Sequence, residues 1–152
     1  MPKQAIHIDA LASWVGREVA TSDWLDITQE RIDKFADAAG DHQWIHVDRE
    51  RAARESGFGR TIAHGFLTLS VLSLLRGESI EVTGQRMGIN YGLNRLRFTS
   101  PVPSGSRVRA RFVLAALDPI EGGVQSTWSV TVEREGGDKP ALVCEWLTRH
   151  YR

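Results

Sequence analysis

GFLTLSVLSLLR, residues 65–76, is the stretch that decides the fold, because it is apolar on nearly every side. Three small polar residues interrupt it, Thr68, Ser70 and Ser73, and the run stops at Gly77. A helix that is hydrophobic all round is buried all round. The run is about half as long as the roughly 20 residues that a membrane span needs. We therefore predict a central helix that is buried within the protein.

Three later segments alternate apolar and polar residues with a period of two, which is typical of half-buried strands. They are SRVRARFVLAAL (106–117), VQSTWSVTVERE (124–135) and ALVCEWLTRHY (141–151). The sequences DPIEGG and EGGDKP between them are typical of turns. Short turns join antiparallel strands, so we predict an α+β fold in which an antiparallel sheet covers the central helix. No linker divides the chain, and residues 1–152 are predicted to form a single domain.

Two shorter helices are predicted before the central one. Residues 27–40, ITQERIDKFADAAG, have helical periodicity, with Thr28 as the N-cap and Gly40 at the end. Asp48 is a candidate cap for a second helix that ends near the glycines of SGFGR. The segment between them, DHQWIHV, is predicted to be a tight connection.

Composition excludes several classes of protein. The 152 residues include 19 basic and 19 acidic side chains, so the formal net charge is zero and no nucleic-acid partner is expected. No apolar stretch of signal length lies near the N-terminus, and we expect a cytoplasmic protein without a membrane partner. The single cysteine, Cys144, lies in an apolar run and is predicted to be a buried small hydrophobe. Walker A, GxGxxG and GxSxG motifs are absent, which argues against nucleotide binding and a serine nucleophile.

Polar residues cluster in AAGDHQWIHVDRERA, which brings Asp41, His42, His46 and Asp48 between two predicted helices, with His64 following. A carboxylate and an imidazole at one point can hold and polarise a water molecule. The alternative is that the two aspartates are helix-end residues and the histidines are structural. His42 and His46 have the spacing of a zinc pair, but Gln43 stands where a zincin has Glu, and we expect no metal.

Gly65 opens the central helix, so the first backbone N–H groups of that helix are predicted to be free. Such donors can stabilise a developing oxyanion. The alternative is that Gly65 only permits a tight entry to the helix, while Ser70 only hydrogen-bonds the helix backbone.

Three motifs in this order, GDHQWIHVD, TIAHGFLTLS and GINYGLNRLRF, resemble those of the MaoC-like dehydratases, a family that includes (R)-specific enoyl-CoA hydratases. The resemblance covers roughly residues 15–150 and is closest to the NodN-like branch. It implies a hot-dog fold, in which an antiparallel sheet wraps around a long central helix, and a homodimer.

The resemblance also implies roles for individual residues. The family's catalytic pair falls on Asp41 and His46, its helix serine on Ser70 and its oxyanion donor on Gly65. The spacing within the pair is retained, although Gln43 and Trp44 stand where the family commonly has Asn and Pro. We expect five residues to contribute to substrate binding: Trp44, His64, Asn90, Tyr91 and Arg97.

The expected reaction is reversible syn hydration of trans-2-enoyl thioesters to (R)-3-hydroxyacyl thioesters, with an acyl-CoA as substrate and no metal or redox cofactor. Arg107, Arg109 and Arg111 form a basic stripe that either contacts CoA phosphates or, as we favour, is a solvated face. Two alternatives remain at this point: a hot-dog thioesterase, which releases a free thiol, and a non-catalytic acyl-thioester-binding protein.

Overall fold

The computed structural model describes residues 2–152. The eight strands are β1 (Gln4–His7), β2 (Glu18–Thr21), β3 (Leu25–Ile27), β4 (Ile80–Thr83), β5 (Met87–Arg97), β6 (Ser106–Ile120), β7 (Gly123–Arg134) and β8 (Leu142–Tyr151). The helices are a 3₁₀ helix (Ile8–Trp14), α1 (Gln29–Ala39), α2 (Trp44–Val47), α3 (Arg49–Glu55), α4 (Gly65–Ser70) and α5 (Leu72–Ser79).

Six strands form one antiparallel sheet in the spatial order β2-β6-β7-β8-β5, with β3 also paired to β6. The three predicted strands are the neighbours β6, β7 and β8, which confirms the α+β fold with an antiparallel sheet. A separate parallel pair, β1 with β4, was not predicted. Each of its strands has only four residues, which is too short to show a clear period of two.

The inner face of the sheet forms the core, as the alternation of apolar residues predicts. Four residues of β6 are fully buried on this face: Val108, Ala110, Phe112 and Leu114. The turn between β6 and β7 is shorter than predicted, because Asp118 and Pro119 still pair with β7 and only Glu121 and Gly122 connect the strands.

The central helix departs from the prediction in two ways. It is divided at Val71 into α4 and α5, and it continues past Gly77 to Ser79. It is also not buried on all sides, since Phe66 is 66% exposed and Leu74 is 37% exposed. The sheet covers only the opposite side of the helix, so the other apolar side is left open in the single chain.

The elements around the polar cluster are set by local signals. Thr28 accepts a hydrogen bond from the Arg31 N–H and caps α1, while Gly40, with φ of 75°, ends that helix. Asp48 accepts from the Arg51 N–H and caps α3. The predicted tight connection instead contains the one-turn helix α2, closed by a hydrogen bond from the Asp48 N–H to the Trp44 carbonyl. Within residues 2–152, no helix combines the length and apolar character needed to cross a bilayer.

Candidate active site

His46 is buried and has a defined tautomer. It lies on α2, and its Nδ1–H donates to the Ile62 carbonyl at 2.7 Å. The Gln29 amide holds the backbone of the same residue by donating to the His46 carbonyl at 2.8 Å. Burial lowers the pKa of His46, against the hydrogen bond to Ile62, which raises it. The neutral ring therefore presents the unprotonated Nε2, for which the described chain supplies no hydrogen bond, as a proton acceptor.

Asp41 is placed by the end of α1. The left-handed conformation of Gly40 turns the chain, and both the Gly40 and Asp41 N–H groups donate to the Ala36 carbonyl. The carboxylate of Asp41 is exposed and accepts a hydrogen bond from the Gln43 N–H at 3.3 Å. Asp41 therefore lies at the end of α1 and also in the predicted polar site, so the two interpretations of this residue do not exclude each other.

His64 joins these two residues in one cluster. Its Nε2–H donates to the Asp41 carbonyl at 2.9 Å, and its ring stacks on His46 with centroids 3.8 Å apart and planes inclined by 24°. One ring nitrogen of each histidine and a carboxylate oxygen of Asp41 lie within 4.8 Å of one another. His42 lies outside the cluster, because it is exposed and contacts Asp37 Oδ1 at 2.8 Å.

The geometry of the cluster bears on metal binding. A metal ion lies about 2.0–2.1 Å from an imidazole nitrogen, in the plane of the ring. Ring nitrogens of His46 and His64 and a carboxylate oxygen of Asp41 are ligand types that bind divalent metals, and they lie within 4.8 Å of one another. The zinc pair that the spacing of His42 and His46 suggests is not formed, since His42 contacts Asp37 instead.

Gly65 starts α4 beside this cluster. The N–H groups of Gly65 and Phe66 have no hydrogen-bond partner in the described chain, so they remain available to an oxygen atom. A Cβ on Gly65 would lie 2.7 Å from Cδ2 of Phe98. Glycine is therefore required here for close packing, and the Phe98 ring covers the start of the helix.

Three other predicted residues lie around a separate cavity of about 360 Å³ between α4, α5 and β5. Ser70, Asn90 and Tyr91 line it, together with Trp146. The Ser70 hydroxyl donates to the Phe66 carbonyl at 2.7 Å, as the structural alternative expected. The structure does not bring Ser70 into the cluster of Asp41, His46 and His64.

The remaining predicted residues make local contacts. Trp44 is half-buried, and the Arg51 guanidinium lies 4.3 Å from the centroid of its ring. Arg97 is exposed and donates to the Leu96 carbonyl.

The basic stripe is paired with glutamates: Arg107 with Glu135, Arg109 with Glu133 and Arg111 with Glu18. These pairs favour the solvated face over phosphate binding. Cys144 is buried, and burial raises its pKa to about 11, which fits an unreactive thiol.

Sequence reasoning missed two contacts that shape the site. His64 stays a predicted substrate-binding residue, but its contacts with Asp41 and His46 were not predicted; it is 3% exposed and touches both residues. Phe98 was not singled out, although it packs on Gly65. The position of His64 directly before Gly65 could have indicated these contacts, because it places an imidazole at the start of the central helix.

Comparison with known proteins identifies a family and several relatives of similar length. The MaoC like domain family matches residues 6–135. The chain is 54% identical over 141 residues to 3-hydroxyacyl-thioester dehydratase Z of Mycobacterium tuberculosis, covering 92% of this chain and 93% of that protein. It is 52% identical over 139 residues to nodulation protein N of Rhizobium leguminosarum bv. viciae, covering 90% of this chain and 86% of that protein.

Solved structures agree in fold. The (R)-hydratase from A. caviae involved in PHA biosynthesis superimposes with a TM-score of 0.72 at 27% identity, covering 88% of this chain and 94% of that chain. A monoamine oxidase regulatory protein from Archaeoglobus superimposes with a TM-score of 0.80 at 22% identity, over 100% of this chain and 99% of that chain. The second likeness concerns the fold alone.

Proposed function

Because the chain belongs to the MaoC-like domain family, we propose that it is an (R)-specific hydro-lyase that adds water reversibly and syn across the double bond of trans-2-enoyl thioesters. A relative of 54% identity is a 3-hydroxyacyl-thioester dehydratase, and a structural neighbour of 27% identity is an (R)-hydratase. The observation that carries the proposal is the exposed carboxylate of Asp41 beside the buried His46, whose Nε2 is left as a free acceptor.

His46 acts as the base on the attacking water. Its Nδ1–H is committed to the Ile62 carbonyl, so only Nε2 can accept a proton. The oxygen of the water bonds to C3, its proton passes to Nε2, and the electrons of the double bond move toward the thioester oxygen. C2 then takes a proton from the Asp41–His46 pair, so that the product contains the elements of one water.

The start of α4 receives the charge that develops on the thioester oxygen. The free N–H of Gly65 is the donor for this enolate oxygen, and it lies at the residue that packs on the Phe98 ring. A hydrogen bond that forms to the enolate more strongly than to the neutral thioester lowers the barrier. Asn90, Tyr91 and Ser70 line the cavity that receives the acyl chain, and Trp44 and Arg97 are retained as substrate-binding candidates.

The reaction needs no metal or redox cofactor, since it is a proton transfer coupled to addition at an activated double bond. We further propose that the substrate is an acyl-CoA thioester and that the enzyme acts in the cytoplasm.

The enzyme is proposed to be a homodimer. Six large apolar residues of the helix and β5 are exposed, and we call them the apolar face: Phe66, Leu74, Met87, Ile89, Tyr91 and Leu93. The strand β5 ends the six-stranded sheet, so its outer edge is unpaired within the described chain. Apolar surface of this kind on a soluble protein marks an interaction site, and a second copy of the chain covers it.

The reaction is tested with purified protein and trans-2-enoyl-CoAs of increasing length, by following the loss of enoyl absorbance and the release of free thiol together. We expect absorbance loss without thiol, and an (R)-3-hydroxyacyl product. Asp41→Asn and His46→Ala should each lower kcat/KM by roughly 10²–10⁴-fold. His42→Ala is the matched control and should retain activity, because His42 is exposed and lies outside the cluster.

Three outcomes would contradict the proposal. Release of free thiol would identify a thioesterase, and binding without turnover at every chain length would identify an acyl-thioester-binding protein. The stereochemistry of the product is decisive for the (R) assignment, since (S)-3-hydroxyacyl-CoA would require a different placement of the attacking water.

A further inference from the structure

His64 has a buried ring nitrogen that forms no hydrogen bond with the described residues. The side chain is 3% exposed, and its Nε2–H is used by the Asp41 carbonyl. The carbonyl can only accept, so the neutral ring is the Nε2–H tautomer and Nδ1 is an acceptor. Nδ1 is buried and has no hydrogen-bond partner. A buried acceptor without a donor destabilises the folded protein, so the missing donor calls for a physical account.

The neighbouring groups cannot supply that donor. Nδ1–H of His46 is taken by Ile62, and its Nε2 is itself an acceptor in the neutral ring. The Phe35 ring, 5.0 Å away between centroids, has no polar hydrogen. The Asp41 carboxylate accepts from the Gln43 N–H. A molecule that enters the cluster is therefore the source of the hydrogen.

A water molecule fits the cluster. Ligand atoms of Asp41, His46 and His64 lie within 4.8 Å of one another. A water molecule placed between three atoms this close lies within hydrogen-bonding distance of each of them. This is also the position where the proposed function requires a water.

Resting on that proposed function, we propose that His64 is a further catalytic residue: its Nδ1 accepts the second O–H of the attacking water, whose first O–H is directed at Nε2 of His46. A water has only two O–H groups, while the cluster offers three acceptors. The exposed Asp41 carboxylate can take hydrogen bonds from solvent and from Gln43, whereas the buried Nδ1 of His64 has no other donor.

This arrangement fixes the direction of the attack. With both O–H groups held by the stacked imidazoles, the lone pair of the water oxygen points away from them toward the substrate. His64 also holds the Asp41 backbone through its Nε2–H. One ring thus has two separable contacts, one to the water and one to Asp41, and each can be removed without the other.

Two amide variants separate the contacts. In His64→Asn the amide oxygen occupies the position of Nδ1 and can still accept from the water, while the donor to Asp41 is lost. In His64→Gln the longer amide reaches the position of Nε2 and can still donate to Asp41, while the acceptor at Nδ1 is lost. Both variants remove the stacking on His46 equally, so a role in packing alone affects them equally.

We expect His64→Gln to lower kcat of enoyl-CoA hydration by about 100-fold, and His64→Asn to remain at least about tenfold more active than His64→Gln. Thermal unfolding curves of both variants check that each protein is folded at the temperature of the activity assay. Equal activities of the two variants, or a more active His64→Gln, would overturn the proposal.

A measurement on the unmodified protein needs neither variant nor substrate. Imidazole ¹⁵N shifts in histidine-labelled protein should show His64 with bare Nδ1 and His46 with bare Nε2 at neutral pH. A proton on Nδ1 of His64 would refute the proposal. If the wild type hydrates no enoyl thioester, the proposed function fails, while the tautomers still decide whether His64 offers Nδ1 as an acceptor.

Discussion

The backbone carbonyl of Ile62 sets the chemistry of a side chain 16 positions earlier in the chain. By accepting from Nδ1–H of His46, it selects the tautomer whose Nε2 is basic. Burial lowers the pKa of His46, and the electrostatic effect of His64 lowers it further, whereas the hydrogen bond to Ile62 and the nearby Asp41 raise it. A single hydrogen bond to the main chain therefore decides which nitrogen can receive a proton.

The pH dependence of hydration follows from this residue. Protonation removes the Nε2 lone pair, so activity is present above the pKa of His46 and is lost as the pH falls through it. Because burial lowers that pKa from the usual 6.5, we expect the acid limb of kcat/KM to have its midpoint below 6.5. The pH–rate profile of the wild type measures it, and a midpoint above 6.5 would contradict the assignment of His46 as the base.

At the scale of elements, α4 begins against the segment that follows β5, and Gly65 makes this contact possible. We expect Gly65→Ala to destabilise the protein by about 1–3 kcal/mol and to lower kcat, because the new Cβ must displace the Phe98 ring. Urea unfolding measures the stability. In Gly65→Ala/Phe98→Ala, the loss should be smaller than the sum of the single losses.

Gly77 provides the matched control for this substitution. It also lies on the central helix, but a Cβ there has no atom within 4 Å. Gly77→Ala should be neutral or stabilise the helix by about 0.5–1 kcal/mol. Equal losses from both alanine variants would show that helix conformation, and not the contact with Phe98, explains the cost at Gly65.

Elements with local signals were predictable, and contacts between distant residues were not. Thr28, Gly40 and Asp48 mark the ends of α1 and α3, because a cap depends on residues only a few positions away. The polar cluster that contains Asp41 and His46 was visible in the sequence, while their role as a catalytic pair comes from the family resemblance and stays a prediction. The stack of His64 on His46 joins α2 to the start of α4, and no local periodicity reports such a contact.

The error on the central helix has a different cause. An apolar residue on every side indicates that every side is covered, but it does not say whether the cover belongs to the same chain. Leu67 and Leu75 are buried against the sheet, while Phe66 and Leu74 face outward. The all-round apolar pattern thus agrees with the proposed dimer, since the single chain buries only one side of the helix.

At the scale of the whole molecule, the apolar face leads to a prediction about assembly. We expect the wild type to be a dimer and Ile89→Lys to shift it toward the monomer, because the substitution places a charge in the proposed interface. Val15→Lys is the control, since Val15 and Ile89 are both 42% exposed but Val15 lies after the 3₁₀ helix. Light scattering coupled to gel filtration measures the mass. A monomeric wild type, or equal effects of both variants, would refute the dimer.

The sheet order also has a consequence for the synthesis of the protein. Among residues 2–152, β8 is the only strand that pairs with β5, and it lies between β7 and β5 in the sheet. On the ribosome, residues 87–97 therefore emerge without a partner and wait until residues 142–151 have been made. During that interval an apolar strand with two free edges is open to other nascent chains. Slow translation of the last third of the message would lengthen this exposure, whereas the residues of the catalytic cluster are all present well before it begins.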